Sequence, residues 1–235
     1  MLRILRRAWR IAGFTLVALV VAVLLVQAWF YAHILWWAHN APANTAFMER
    51  RLEQLRQSNP RARLRQQWVP YAHISDELKR AVVAAEDAKF LDHEGFDWEA
   101  IQKAMEKNER RGRVVAGAST ISQQLAKNLF LSGQRSWLRK AQEAVITAML
   151  EHAMEKRRIL ELYLNFAEWG EGVFGAEAAA QFHFGVPAAR LDAAQALWLA
   201  AILPSPRRYA RGARTDYLES RIDTIRGRMA YAQIP

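Results

Sequence analysis

The sequence predicts a mainly α-helical protein, with an N-terminal transmembrane helix followed by a single helical domain. Three observations support this: a long apolar run at residues 11–37, apolar residues at helical spacing behind capping residues in the remainder, and almost no strand-like alternation. With 235 residues, 52% of them hydrophobic, the chain suits one domain plus an appendage. The same composition excludes a disordered or collagen-like protein.

Charge and cysteine content narrow the function classes. The 33 Lys and Arg residues against 23 Asp and Glu residues give a net charge of +10, which indicates an anionic partner. That partner is nucleic acid, a membrane surface or a phosphorylated substrate. The absence of cysteine excludes a disulfide framework, a thiolate zinc site and a cysteine nucleophile.

The first predicted element is a membrane anchor at residues 11–37. This run has no charged side chain and, at about 1.5 Å per residue, forms a helix roughly 40 Å long, enough for a bilayer core of about 30 Å. It is too long for the apolar core of a signal peptide and has no polar face for a buried helix, so we favour an uncleaved anchor. By the positive-inside rule, the N-terminus is cytoplasmic because four arginines precede the run: Arg3, Arg6, Arg7 and Arg10.

The segment after the anchor leads into the folded domain. Residues 42–45 break the first helix, residues 50–65 are basic and expected near the bilayer, and residues 66–72 are expected to be extended. These features predict a cytoplasmic N-terminus, an anchor, a juxtamembrane segment and a periplasmic domain at residues 1–10, 11–37, 38–65 and 66–235.

Helices with recognisable caps fill the domain. Ser75 is a candidate N-cap for a helix to residue 85, and Asp97 for a helix over residues 98–110. Ser119 or Thr120 is expected to cap a helix to about residue 131. Ser136 is expected to open one to about residue 152, and further helices are predicted at 156–166, 177–184, 192–203 and 216–231.

Two adjacent carboxylates, Glu86 and Asp87, end the helix that begins after Ser75. Beside an apolar core at least one should be partly desolvated, and desolvation raises the pKa of a carboxyl group toward the range that suits a general base. The alternative is that Asp87 caps or forms a salt bridge while Glu86 is an ordinary surface acid. Taken alone, the two residues favour this alternative.

Residues 117–128 form a glycine-containing loop that runs into a hydroxyl-rich helix start, which offers free backbone N–H groups to an anion. Helical spacing places Gln123 and Lys127 on one face, with Gln124 and Asn128 on the adjoining strip. A capped surface helix is the simpler interpretation of this segment by itself.

A third cluster lies at the next helix start, where Arg135, Arg139 and Lys140 precede Glu143. Arg139 and Glu143 are four residues apart and could simply pair, for about 0.3–0.5 kcal/mol if exposed. The functional interpretation is a cationic clamp for phosphate groups, with a second carboxylate beside it.

Together these clusters resemble the ordered motifs of the peptidoglycan glycosyltransferases, lysozyme-like membrane-anchored enzymes that polymerise lipid II. The motifs are E-D-x-x-F-x-x-H-x-G-x-D from Glu86, G-x-S-T-x-x-Q-Q-L-x-K-N from Gly117, R-K-x-x-E from Arg139 and I-L-E-x-Y-L-N from Ile159. The run at residues 168–170 and the short chain resemble the monofunctional biosynthetic transglycosylases. The resemblance covers roughly residues 71–209 plus the anchor. His183 replaces the tyrosine usual in the family, and we interpret it as a change in packing.

The resemblance implies that Glu86 is the general base. It would take the proton of the acceptor sugar's 4-hydroxyl, which attacks the donor's anomeric carbon with inversion, forms a β-1,4 bond and releases undecaprenyl pyrophosphate. Glu143 matches the second essential carboxylate and is expected to hold the cations and the pyrophosphate region in place. The cations implied for the pyrophosphate are Lys127, Arg135, Arg139 and Lys140.

Supporting roles follow from the same resemblance. Asp87 and His93 are expected to orient Glu86 and its loop. The donor cleft is expected to be lined by Ser119, Thr120, Gln123, Gln124 and Asn128. No metal-ligand spacing of the zinc or EF-hand kind occurs, so a divalent cation, Mg or Mn, is expected only where the substrate pyrophosphate holds it.

The implied partners are lipid II, the growing lipid-linked glycan and the bacterial inner membrane, with proteins of cell-wall synthesis or division as candidates. Nucleic acid is not expected, because the domain is placed in the periplasm. Two other functions stay open. A lytic transglycosylase would cleave glycan but has no use for a pyrophosphate clamp, and a non-catalytic membrane scaffold would not depend on Glu86.

Overall fold

Helices dominate the computed structural model, which describes residues 2–113, 115, 117–131, 136–209 and 215–235. The α-helices are α1 (Leu2–Trp37), α2 (Ala46–Ser58), α3 (Asp76–Glu86), α4 (Trp98–Arg111), α5 (Ile121–Phe130), α6 (Trp137–Ala153), α7 (Lys156–Phe166), α8 (Ala176–Phe184), α9 (Ala193–Ile202), α10 (Pro206–Tyr209) and α11 (Asp216–Met229). Short 3₁₀ helices lie at Tyr71–His73 and Ala188–Arg190. The prediction of a mainly α-helical protein is confirmed.

The chain divides into two units, residues 1–40 and residues 41–235. In the first, Trp9–Trp37 of α1 is long and apolar enough to cross a membrane, with a mean hydropathy of 2.6 over an 18-residue window. Its polar side chains bond to carbonyls of the same helix: Thr15 Oγ1 donates to Ile11 O at 2.9 Å, and His33 Nδ1 lies 2.9 Å from Trp29 O. Such internal pairing suits a helix in lipid. The helix is a candidate membrane anchor.

In the second unit, α5 packs against α6 and α7, while α3 packs against α9 and α11. The amphipathic helices bury their apolar faces between these layers, each large side chain contributing about 1.5–3 kcal/mol. Fully buried residues of this core include Leu78, Ile121, Leu125, Ile146, Leu160 and Leu199.

The predicted caps are confirmed. Ser75 Oγ accepts a hydrogen bond from Leu78 N at 3.1 Å, and Ser136 Oγ accepts one from Arg139 N at 3.1 Å. Asp97 caps α4 in the same way. Of the two candidates for α5, Thr120 is the cap. The helices therefore begin where their side chains satisfy otherwise unpaired N–H groups.

A small sheet was not predicted. Its strands β1 (Arg65–Gln66), β2 (Glu168–Gly170) and β3 (Val173–Phe174) have the order β1-β3-β2, with β1 parallel and β2 antiparallel to β3. Both β2 and β3 are buried throughout, so they show no alternation of polar and apolar residues. The segment expected to be extended at 66–72 contains the end of β1 and then turns into the 3₁₀ helix at Tyr71–His73.

Helix α2 lies within the predicted juxtamembrane segment and packs on α5. Arg51 forms a two-pronged ion pair with Glu168 of β2, with N–O distances of 2.8 and 2.9 Å, and both side chains are almost fully buried. This pair fixes α2 to the sheet, next to the cleft described below.

Candidate active site

Glu86 is the last residue of α3, and its carboxylate is held from two sides. Gln124 Nε2 of α5 donates to Oε2 at 2.8 Å, and an Arg221 Nη atom of α11 donates to Oε1 at 2.9 Å. The side chain is 12% exposed. Where the sequence suggested a carboxylate desolvated by apolar neighbours, the structure has an ion pair and an amide contact.

Asp87 and His93 tie the end of α3 to the start of α5. Asp87 Oδ2 accepts from the N–H of Ile121 at 3.0 Å, and Oδ1 lies 2.9 Å from His93 Nε2. Since His93 Nδ1 accepts from Gly95 N at 3.1 Å, the hydrogen-bond network assigns the imidazole proton to Nε2. Both residues thus hold the loop beside Glu86.

Gly95 allows this loop to lie close to α6. Its φ is +87°, and a Cβ atom there would come within 2.8 Å of the Thr147 methyl group. A side chain is therefore excluded by both conformation and space. Thr120 Oγ1 donates to Gly95 O at 2.7 Å, which joins the loop to the cap of α5.

A first cavity of about 660 Å³ opens beside Glu86. Gln124 and Tyr163, which form a 3.1 Å hydrogen bond, lie in its wall. Other lining residues are Phe47, Arg51, Lys127, Asn128, Glu168, Arg207 and Arg208. Positive and negative groups from α2, α5, α10 and β2 therefore face one space.

Of the cations predicted for the pyrophosphate, Lys127 lines this cavity, and the charges of Arg139 and Lys140 act on Lys127 from outside the lining. Glu143 is buried and accepts from Arg139 at 3.1 Å and from Lys140 at 2.5 Å. Enclosure by the cleft walls lowers the pKa of Lys127. The positive charges of Arg139 and Lys140 lower this pKa further, whereas the negative charge of Glu143 raises it. Arg139 Nε is buried without a hydrogen-bond partner among the described residues. Arg135, predicted to join this cluster, lies outside the residues that the structure describes.

A second cavity, of about 500 Å³, has Glu86 itself in its lining. Ser119 is exposed there, and Thr120, Asp87 and Arg228 also contribute. The residues expected in one donor cleft are therefore divided: Gln124 and Asn128 line the first cavity, Ser119 and Thr120 the second. Gln123 lines neither of the two and is buried in the capping box with Thr120.

His183 of α8 packs between β2 and α9. Its Nε2 lies 2.8 Å from Trp169 O, and its ring meets that of Trp198 edge-on at 4.8 Å. Burial lowers the pKa of the imidazole. These contacts stiffen β2 from the side of α8.

Comparison with known proteins adds to this geometry. The family described as "Transglycosylase" matches residues 51–230, more than half of the chain. The chain belongs to this family. It is 58% identical over 233 residues to the biosynthetic peptidoglycan transglycosylase of Azoarcus sp. (strain BH72), covering 98% of this chain and all of that protein. The protein of the same name from Bordetella pertussis is 52% identical, over 97% and 96% of the two chains.

The chain is accordingly an enzyme, a glycosyltransferase of the biosynthetic peptidoglycan transglycosylase family. Sequence reasoning missed two arginines of this transglycosylase, Arg221 at Glu86 and Arg228 at the second cavity. A signal for Arg221 was present. It follows Leu218 by three residues and precedes Ile225 by four, and both of these are buried, so it lies on the inward face of α11.

The described residues of the transglycosylase contain no group of three or more His, Asp or Glu side chains placed to hold a metal ion. Glu143, the carboxylate among the cations, already gives its two oxygens to Arg139 and Lys140. The protein side chains described here therefore do not fit a metal site at this position.

Proposed function

We propose that this transglycosylase polymerises lipid II into β-1,4-linked glycan strands and releases undecaprenyl pyrophosphate. The observation that carries the proposal is the position of Glu86. Its carboxylate lines one cavity, and its partner Gln124 lines another together with Lys127, one of the cations. A reaction between two sugars needs such an arrangement, with a base between an acceptor and a donor.

In the proposed step, Glu86 accepts the proton of the acceptor's 4-hydroxyl as the oxygen attacks the donor's anomeric carbon. The bond from that carbon to the pyrophosphate oxygen breaks, and the electron pair leaves with the pyrophosphate. Attack from the opposite face inverts the carbon, as in an inverting glycosidase with a sugar hydroxyl in place of water.

The charge that develops on the pyrophosphate leaving group explains why the proposed site needs cations. Pyrophosphate needs its developing charge neutralised more than it needs a proton, and preorganised cations do this at little reorganisation cost. We assign this role to Lys127, Arg139 and Lys140, with Arg135 by family position, and assign Glu143 to holding Arg139 and Lys140.

The two cavities then take different substrates. The donor, with its pyrophosphate, occupies the first cavity beside Lys127, Gln124 and Asn128. The acceptor occupies the second, beside Ser119 and Glu86. Asp87, His93, Thr120 and Gln123 hold the loop and helix that form this junction. A divalent cation, Mg or Mn, is proposed only as one bound to the substrate's pyrophosphate, and no step above depends on it.

Location follows from the anchor. We propose that α1 spans the inner membrane with its N-terminus in the cytoplasm, since arginines flank that end, and that residues 41–235 work in the periplasm. Lipid II would then be met at the outer surface of this membrane. Candidate protein partners are those of cell-wall synthesis or division.

The test is to add labelled lipid II to the full chain in detergent and to separate the products by size. We expect a ladder of glycan polymers. Parallel incubation with purified cell-wall sacculi is expected to release no soluble fragments. Fragments from sacculi without polymer from lipid II would establish a cleaving enzyme, and no product from either would favour a scaffold.

A further inference from the structure

Arg221 connects the C-terminal helix to the proposed base. One end of its guanidinium, Nε, donates to the carbonyl of Ala201 in α9 at 3.2 Å, and an Nη atom donates to Glu86 Oε1 at 2.9 Å. The side chain is only 22% exposed. A guanidinium anchored at a backbone carbonyl has little freedom, so it fixes the carboxylate that it meets.

The opposite side of Glu86 is fixed as well. Gln124 donates to Oε2 and accepts from the hydroxyl of Tyr163, a fully buried residue of α7. Four helices thus meet at one carboxylate: α11 through Arg221, α5 through Gln124, α7 through Tyr163, and α3 through Glu86 itself. A carboxylate has about four acceptor positions, and these two contacts leave room for a substrate hydroxyl.

Resting on the function proposed above, we propose that Arg221 is a positioning residue of the reaction, which aims the Glu86 carboxylate at the acceptor's hydroxyl group. The geometry matters because a displacement of about 1 Å at a reacting group can cost roughly 100-fold in rate.

Other charged or titratable groups also surround Glu86. They are Asp87 and Lys89 after α3, Asp97 and Lys103 of the α4 region, Lys127 of α5, Tyr163 of α7, and Arg228 of α11. Among the described residues, Arg221 is the one whose cation forms an ion pair with Glu86. Its loss should therefore disturb the position of the Glu86 carboxylate more than the loss of any of these other groups.

Arg221→Met removes the cation and keeps an unbranched apolar side chain at this position of α11. Because removing one partner of a largely buried ion pair is destabilising, denaturant unfolding of this variant is measured beside its kinetics. The conservative variant Arg221→Lys keeps the charge but loses the second arm that reaches Ala201.

The experiment measures lipid II polymerisation by the full chain in detergent over a range of lipid II concentrations. For Arg221→Met we expect kcat to fall about 100-fold, with KM changed much less. Arg221→Lys should recover about tenfold of that loss, because it returns a cation to the side of Glu86. Arg226→Met, at an exposed pair with Asp223 on the same helix, is the matched control and should behave as wild type.

An unchanged kcat in Arg221→Met would overturn the inference, and so would equal losses of kcat in the Met and Lys variants. If the Met variant does not fold, Arg221→Gln replaces it: a kcat lower in Gln than in Lys, with KM little changed in both, supports the inference, and an equal kcat in both refutes it. Failure of the proposed function is distinct, because then the wild-type chain itself makes no polymer.

Discussion

Glu86 and Glu143, the two carboxylates singled out in the sequence, are both paired with arginine, yet their surroundings differ. Glu143 is 3% exposed and gives its oxygens to Arg139 and Lys140, two cations of its own helix. Glu86 receives one cation, from a distant helix, and one neutral amide, and it lines a cavity. The comparison shows that an ion pair alone does not define a role. Glu143 is committed to holding cations, whereas Glu86 keeps access to a ligand.

The sharpest test of this difference is Glu86→Gln, which keeps the shape of the side chain and removes the base. We expect polymer synthesis to fall by about 1,000-fold or more, given what general bases contribute. The unfolding temperature should fall, but less than on loss of the Glu143 carboxylate, because one cation rather than two is left without its counter-charge. A variant that still makes glycan chains from lipid II at a comparable rate would show that another group is the base.

Lys140→Ala tests the cation side of the comparison. Turnover is expected to fall about 100-fold, because one preorganised donor to the leaving group is lost. Binding to anionic lipid vesicles, measured by co-sedimentation, should change far less. Equal losses in turnover and vesicle binding would instead make Lys140 a contact with the lipid surface.

Glu143→Gln should differ from Glu86→Gln in stability. It leaves Arg139 and Lys140 without their counter-charge in a largely buried position, and we expect a loss of about 2 kcal/mol, reduced from the fully buried case because Lys140 is half exposed. Denaturant unfolding of the two glutamine variants side by side measures this. Equal stability of both would remove the distinction between a structural and a reactive carboxylate.

The smallest effect is expected from Tyr163→Phe, which removes the hydroxyl that supports Gln124. One hydrogen bond of about 1 kcal/mol suggests a loss of about fivefold in kcat. Burial raises the pKa of Tyr163 well above its usual value of 10.0, so the ring stays neutral at neutral pH. Neither limb of the pH–rate profile should therefore move, and a shifted limb would contradict this supporting role.

Local signals predicted most of the helical fold. Caps at Ser75, Asp97 and Ser136 lie where sequence placed them, because a cap depends on residues only three positions apart. The sheet was missed because its strands are only two or three residues long, and β2 and β3 are buried throughout, so no periodicity marks them. Sequence placed Glu86 at a helix end, but the arrangement of its partners could not be read from spacing.

The sequence by itself determined the apolar helix, the helical domain, the family motifs and the two carboxylates. Each of these depends on composition or on residues near one another in the chain. Only the tertiary structure decided that Arg221, 135 positions beyond Glu86, is its partner, and that Ser119 and Gln124 face different cavities. The physical reason is that an ion pair or a cavity wall depends on how helices pack. That packing is set by the apolar faces that α3 buries against α9 and α11, and α5 against α6 and α7.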